Sequence, residues 1–225
     1  MALSVFLGDG LYSLRKIRSY LRHAHQPIDY LKLELSGDEL PKLEYLLENQ
    51  HLKSVKQLGI KFRRLERPEE HRLQRQLLKR LEKSRFVRFF SRENYWTKDW
   101  LSGNKSSCGY ETAWFNADYS QEWRMYGSSG GVHQGAGSWK DMLTYFDGHD
   151  ASACRIYFEL GGVLSRQPGL TFLDGQKAVC FDGALAPRSD GRCIVYSFGS
   201  NGEWSFDEQM ERYGCKVYCF DPSVG

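Results

Sequence analysis

The chain has 225 residues, 41% hydrophobic and 26% charged, and its 31 Lys and Arg against 28 Asp and Glu give a formal net charge of +3. That length suits one ordinary domain or parts of two, and the composition excludes a disordered or fibrous chain. No apolar run approaches the ~20 residues that cross a bilayer, and the Met1–Leu7 start lacks the basic region and the length of a signal peptide.

In chain order, Leu14, Ile17 and Leu21 predict a short amphipathic helix, and Ile28 to Leu35 a strand. Leu40, Leu43, Leu46 and Leu47 mark a second helix, followed by a strand from Val55 to Phe62. Leu73, Leu77 and Leu81 line one face of a helix from Pro68 to Lys83, and Arg85 to Phe90 reads as a third strand. The segment from Arg92 through Asn116 has no helical signal and is expected to contain an antiparallel last hairpin. The stretch Tyr126–Ser138 has linker composition.

The last thirty-odd residues are the most informative. Cys193 to Phe198 is a β-branched and aromatic run ending at Gly199. Ser205 and Glu208 have capping-box spacing, Phe206, Met210 and Tyr213 recur at helical spacing, and Gly214 sits where a helix stops. Val217 to Phe220 is a second short strand. Asp221 follows Gly199 at roughly the 20-residue interval at which a nucleotide-type βαβ unit places a carboxylate for ribose hydroxyls. Strands alternating with helices predict an α/β fold with a largely parallel sheet.

The motifs Val195-Tyr-Ser-Phe-Gly199, Trp204-Ser-Phe-Asp-Glu208 and Phe220-Asp-Pro222 resemble the first cofactor-binding segment of S-adenosylmethionine-dependent methyltransferases, most like the FkbM type. Gly161-Gly162 and Asp174–Cys180 are similar to that family's lead-in. Pro27–Glu39 resembles the family's fourth strand and its acidic turn, while Leu52–Ile60, Phe86–Ser91 and Gly109–Asn116 resemble the fifth, sixth and seventh strands. The resemblance implies a class I methyltransferase, Rossmann-like sheet present as two halves in inverted order. Residues 1–120 look like the C-terminal half, 121–140 a Gly/Ser-rich linker, and 141–225 the N-terminal half with the βαβ unit. A slice across tandem domains, an incomplete gene model and a circular permutant all fit that order, and nothing present in the sequence reads as a third strand.

The same resemblance implies S-adenosyl-L-methionine as cofactor, methyl transfer to an unknown acceptor, and a site made of Gly199, Asn201, Gly202 and Asp221. Gly199 and Gly202 would admit close backbone approach, Asn201 would tolerate a left-handed turn, and Asp221 would accept from ribose hydroxyls. Glu34 matches the acid that lies beside the transferring methyl group, where the family usually has Asp. Ser36 replaces a family Glu in the same turn, so a non-catalytic, partner-binding remnant is the alternative function. A nucleic-acid surface is the other: His51 to Arg92 holds fourteen Lys or Arg and four Glu, but most fall on the solvent face of the Pro68–Lys83 helix, which argues against it.

Six cysteines, Cys108, Cys154, Cys180, Cys193, Cys215 and Cys219, do not space like a zinc site, so no metal is expected. The cluster from Cys154 to Cys193 reads either as containing a disulfide, in a protein of the secretory pathway, or as reduced and buried. No histidine has metal-ligand spacing, and Trp114, Trp123 and Trp139 read as packing residues. With no third strand, the edge beside Val217 to Phe220 is expected to be unpaired and prone to self-association.

Overall fold

A computed structural model describes residues 13–34, 39–63, 65, 67–93, 109–123, 139–148, 152–167, 170–200 and 202–221. The helices are α1 (Leu14–Tyr20), α2 (Glu39–Glu48), α3 (Pro68–Lys83), α4 (Trp139–Asp147) and α5 (Ser205–Tyr213). The strands are β1 (Ile28–Leu33), β2 (Val55–Arg63), β3 (Phe86–Glu93), β4 (Gly109–Asn116), β5 (Tyr157–Leu160), β6 (Val163–Gln167), β7 (Leu170–Asp174), β8 (Lys177–Cys180), β9 (Ile194–Phe198) and β10 (Lys216–Phe220). The α/β class expected from the alternating pattern is therefore present.

Six strands form one sheet in the order β10-β9-β1-β2-β4-β3. The first four are mutually parallel, and β4 runs antiparallel to both β2 and β3. Segments 1–120 and 141–225 share this sheet: β1 lies beside β9, with Tyr30 opposite Val195 and Leu33 opposite Phe198. Of the expected linker 121–140, residues 124–138 lie outside the described residues, and Trp139 and Lys140 open α4.

Local sequence explains most of these elements. Pro68 occupies the first turn of α3, where its missing N–H costs nothing, and the Glu70 carboxylate accepts from the Arg67 N–H. Leu77, Leu78 and Leu81 then face the core. At α5 the expected capping box does not form. Ser205 is already helical, its Oγ accepts from the Gly162 N–H at 2.6 Å, and the Glu203 carboxylate accepts from the Ser205 N–H at 2.8 Å. A tertiary partner has taken the hydroxyl that local spacing assigned to the cap. Gly214, at φ 115°, ends the helix as expected.

One face of the sheet is covered by helices. Leu14 and Ile17, Leu40, Leu43 and Leu46, Leu77 and Leu81, and Met142 and Phe146 pack there against Leu31, Leu58, Ile60, Trp114 and Phe198. The other face carries α5, through Phe206 and Met210, and a β-ribbon in which β5 pairs with β8 and β6 with β7. The ribbon bends where β5 passes to β6 at Gly161 and Gly162, and where β7 passes to β8 at Gly175, all at positive φ. At Gly161 the bare Cα lies against the Phe206 backbone, a space no side chain could share.

Two disulfides staple this second face, Cys154–Cys180 and Cys193–Cys215. The first lies within the cysteine window expected from sequence. The second was not anticipated, yet register accounts for it. Lys216 sits opposite Ile194, so the residues just before them come side by side, with Cα atoms 4.5 Å apart. Disulfides are characteristic of oxidising environments such as the secretory pathway, and no helix among the described residues is long and apolar enough to cross a membrane.

Candidate functional site

From β9 the chain crosses through α5 to β10 on one side, whereas from β1 it crosses through α2 to β2 on the other. The strand order reverses between β9 and β1. In open α/β sheets, ligands bind outside the carboxyl ends of the strands at such a reversal. The residues gathered there are Glu34 after β1, Gly199 and Ser200 after β9, and Asp221 after β10.

These three strand ends are tied together. The Glu34 N–H donates to the Phe198 carbonyl at 2.9 Å, and the Gly199 N–H to the Phe220 carbonyl at 2.9 Å. Gly199 has φ 79°, and a Cβ on it would collide with the Glu34 carbonyl, so its missing side chain already serves the approach of two strand ends. Gly202, also at φ 79°, has none of the described residues within 4 Å of where a Cβ would stand. Asp221 Oδ2 accepts from both the Ser200 N–H and the Ser200 hydroxyl, at 2.5 and 2.6 Å. The carboxylate is thereby fixed against the turn after β9.

Beside this turn lies a buried ion network. Glu34 pairs with Lys61, with Lys177 at 3.5 Å and with Lys32 at 3.9 Å. Lys177 also meets Glu111 at 3.0 Å, and Arg92 bridges Glu111 at 3.7 Å to Glu159 on the ribbon. Burial alone would raise the Glu34 carboxyl, but the ammonium groups of Lys177, Lys61 and Lys32 outweigh it and hold the pKa at about 2. Burial would lower Lys177, and Glu111 and Glu34 reverse this and raise it. Asp174, at the end of β7, is raised chiefly by burial. Glu34 is thus an ionised acid with a weak hold on protons.

A second polar row runs under α5. Lys32, Ser197 and Cys219 are neighbours across β1, β9 and β10. Lys32 reaches Asp207 of α5 at 3.4 Å. Cys219 is exposed as a residue, and the desolvation of its thiol against α5, with Asp207 beside it, pushes the thiol pKa up. Among the described residues, Ser197 Oγ and Asp207 Oδ1 are buried without a hydrogen-bond partner.

The structure brings four expected residues, Gly199, Gly202, Asp221 and Glu34, to one end of the sheet. Asn201 lies outside the described residues. Sequence reasoning missed the lysines around Glu34, and one signal for them was available. Lys32 lies, like Asp29, in a strand buried at every position, where an unpaired ammonium would be costly. Arg92 had no such signal. An extra residue, Phe89, bulges out of β3 opposite β4, so Arg88 faces Trp114 while Arg92 faces Glu111.

Among the described residues Cys154, Cys180 and Asp182 lie close enough to suggest a metal. The two sulfurs are joined to each other, and the Asp182 carboxylate accepts from the Arg155 and Ile156 N–H groups, so this cluster is a structural staple. Of the basic residues between His51 and Arg92, several are spent internally. Lys56 pairs with Asp29, Arg80 with Glu44 and Glu48, and Arg88 lies 4.0 Å from the centre of the Tyr145 ring. No protein-family model, curated protein or solved structure matches this chain.

Proposed function

We propose that this chain has a class I methyltransferase-type sheet, binds S-adenosyl-L-methionine across the ends of β9 and β10, and directs methyl transfer to an acceptor whose chemistry the shared fold does not dictate. The observation that carries the reading is the placement of Asp221, a carboxylate at the end of the second strand of a β9-α5-β10 unit, at the point where strand order reverses. The strands that resemble the family's second, first, fourth, fifth, seventh and sixth stand in that spatial order, with the one resembling the seventh antiparallel. That arrangement supports the fold assignment.

The residues present fit an adenosine-bearing group. Asp221 offers an oriented acceptor for hydroxyls, and among the described residues the turn at Gly202 is open on the side where a Cβ would stand. When bound, the cofactor supplies an intrinsically electrophilic methyl group, so the chain's task is alignment, worth on the order of several kcal/mol. Asp221 holds the cofactor end. Glu34, kept ionised by Lys61, Lys177 and Lys32, contributes a fixed negative charge beside the reacting region and is a poor general base.

That same locking of Glu34 favours a second reading, a binding module that has lost catalysis. Calorimetry separates the two from an unrelated function. S-adenosylhomocysteine should bind the whole chain, and Asp221→Ala should weaken it at least tenfold, because two charge-assisted hydrogen bonds are worth about 1.5–3 kcal/mol each. Lys79→Ala with Arg80→Ala should leave binding unchanged. No binding, or equal binding by Asp221→Ala, removes the cofactor assignment.

A further inference from the structure

Among the described residues β10 has one neighbour in the sheet, β9, and no described strand pairs with its outer edge. Which groups it offers follows from the ladder. The Lys216 N–H donates to the Cys193 carbonyl and the Phe220 carbonyl accepts from the Gly199 N–H, so even-numbered residues of β10 turn their backbone groups inward. In a parallel ladder the alternate residues point the other way. Val217 and Cys219 therefore present two N–H donors and two C=O acceptors along the edge.

We propose that a second copy of this chain covers this edge, its β10 pairing antiparallel with the first about a twofold axis beside Tyr218. A twofold axis normal to the sheet requires a residue to stand opposite its own copy, because opposed side chains share a face. Centring on Tyr218 sets Val217 against Cys219 of the other copy, and Cys219 against Val217. All four outward-facing groups on each strand are then paired, in four hydrogen bonds. No other centre within the strand pairs them all.

Three further features suit this occupant. The strand begins with Lys216 and is followed by Asp221, so antiparallel pairing brings a positive end beside a negative one. Val217, Tyr218 and Phe220 are half-buried and uncharged, and gain cover from the same residues of the copy. Lys216–Phe220 carries no proline and no bulge, and its single charge, Lys216, stands at the strand's end rather than in its middle. The pairing closes after two chains and leaves no new edge on that side.

Sedimentation of the whole chain between about 1 and 100 µM should show a monomer–dimer equilibrium. Val217→Pro removes an outward N–H that the monomer does not use, and an edge position tolerates it. It should raise the dissociation constant at least tenfold, while Val217→Ala keeps the dimer. Tyr218→Cys, in a Cys219→Ser background, should form a disulfide between copies under mild oxidation, since facing non-hydrogen-bonded residues have Cα atoms about 4.5 Å apart. Lys216→Cys should not. A monomer throughout the range, or a dimer that survives Val217→Pro without crosslinking at position 218, overturns the proposal. The crosslink decides the matter if the proline variant does not fold.

Discussion

Replacing Glu34 with Gln tests whether the ion network at the strand ends is a source of stability. The folded-state pKa lies near 2 against an ordinary value of 4.5. At 1.36 kcal/mol per unit, the ionised form gains about 3 kcal/mol at pH 7, an order-of-magnitude figure. The depressed folded pKa fixes the sign: this stability is complete above the unfolded value and is lost as pH falls toward 2. Linkage places the loss by pH 3 at about 2 kcal/mol. Glu34→Gln should therefore be less stable than the parent by about 3 kcal/mol at pH 7, and by only about 1 kcal/mol at pH 3. Urea unfolding of both proteins across that range measures the gap directly, and other carboxylates cancel in the comparison. A gap that stays constant with pH would mean that the lysines do not hold Glu34 ionised, and the reasoning fails.

Two further outcomes follow from the second face. Cys193→Ala with Cys215→Ala opens a loop of 22 residues, whose closure entropy corresponds to about 3 kcal/mol and roughly 7 °C in Tm for a chain of this size; thermal unfolding showing a drop below about 1 °C would contradict this. Gly59→Ala should destabilise by about 1–3 kcal/mol through overpacking, because a Cβ there meets the Tyr30 hydroxyl, which donates to the Ala178 carbonyl. Adding Tyr30→Phe should recover part of the loss in urea unfolding, and simple additivity of the two changes would refute the contact.

How legible the fold was depended on whether local pattern or tertiary partner set each element. α3 came out over the expected span because Pro68, Glu70 and the leucine spacing all act within one helix. β9, α5 and β10 were likewise written in a contiguous stretch. The ribbon was not: Tyr157, Phe158, Val163, Leu164 and Leu173 stay exposed, so β5 to β7 carry no clean alternation to read. α4 begins inside a segment whose composition spoke only of flexibility. Ser205 shows the limit most directly, since its spacing to Glu208 was correct for a cap and its hydroxyl nevertheless went to Gly162.

The site divides along the same line. That Asp221 and Gly199 meet at one end of the sheet was legible because a βαβ unit fixes the distance along the chain between a glycine turn and an acid, a relation internal to the sequence. The partners of Glu34 come from β1, β2 and β8, residues 32, 61 and 177, and only the sheet order sets them round one carboxylate. What a sequence does carry for such residues is an anomaly of cost. Lys32 lies in a strand buried at every position, and burying an ammonium without a partner is prohibitive, so its presence already demands an acid nearby. Glu34 and Asp207 answer that demand. The charge of Glu34 is therefore first a structural necessity of the sheet, and any service to a bound ligand is built on an anion the fold has already had to stabilise.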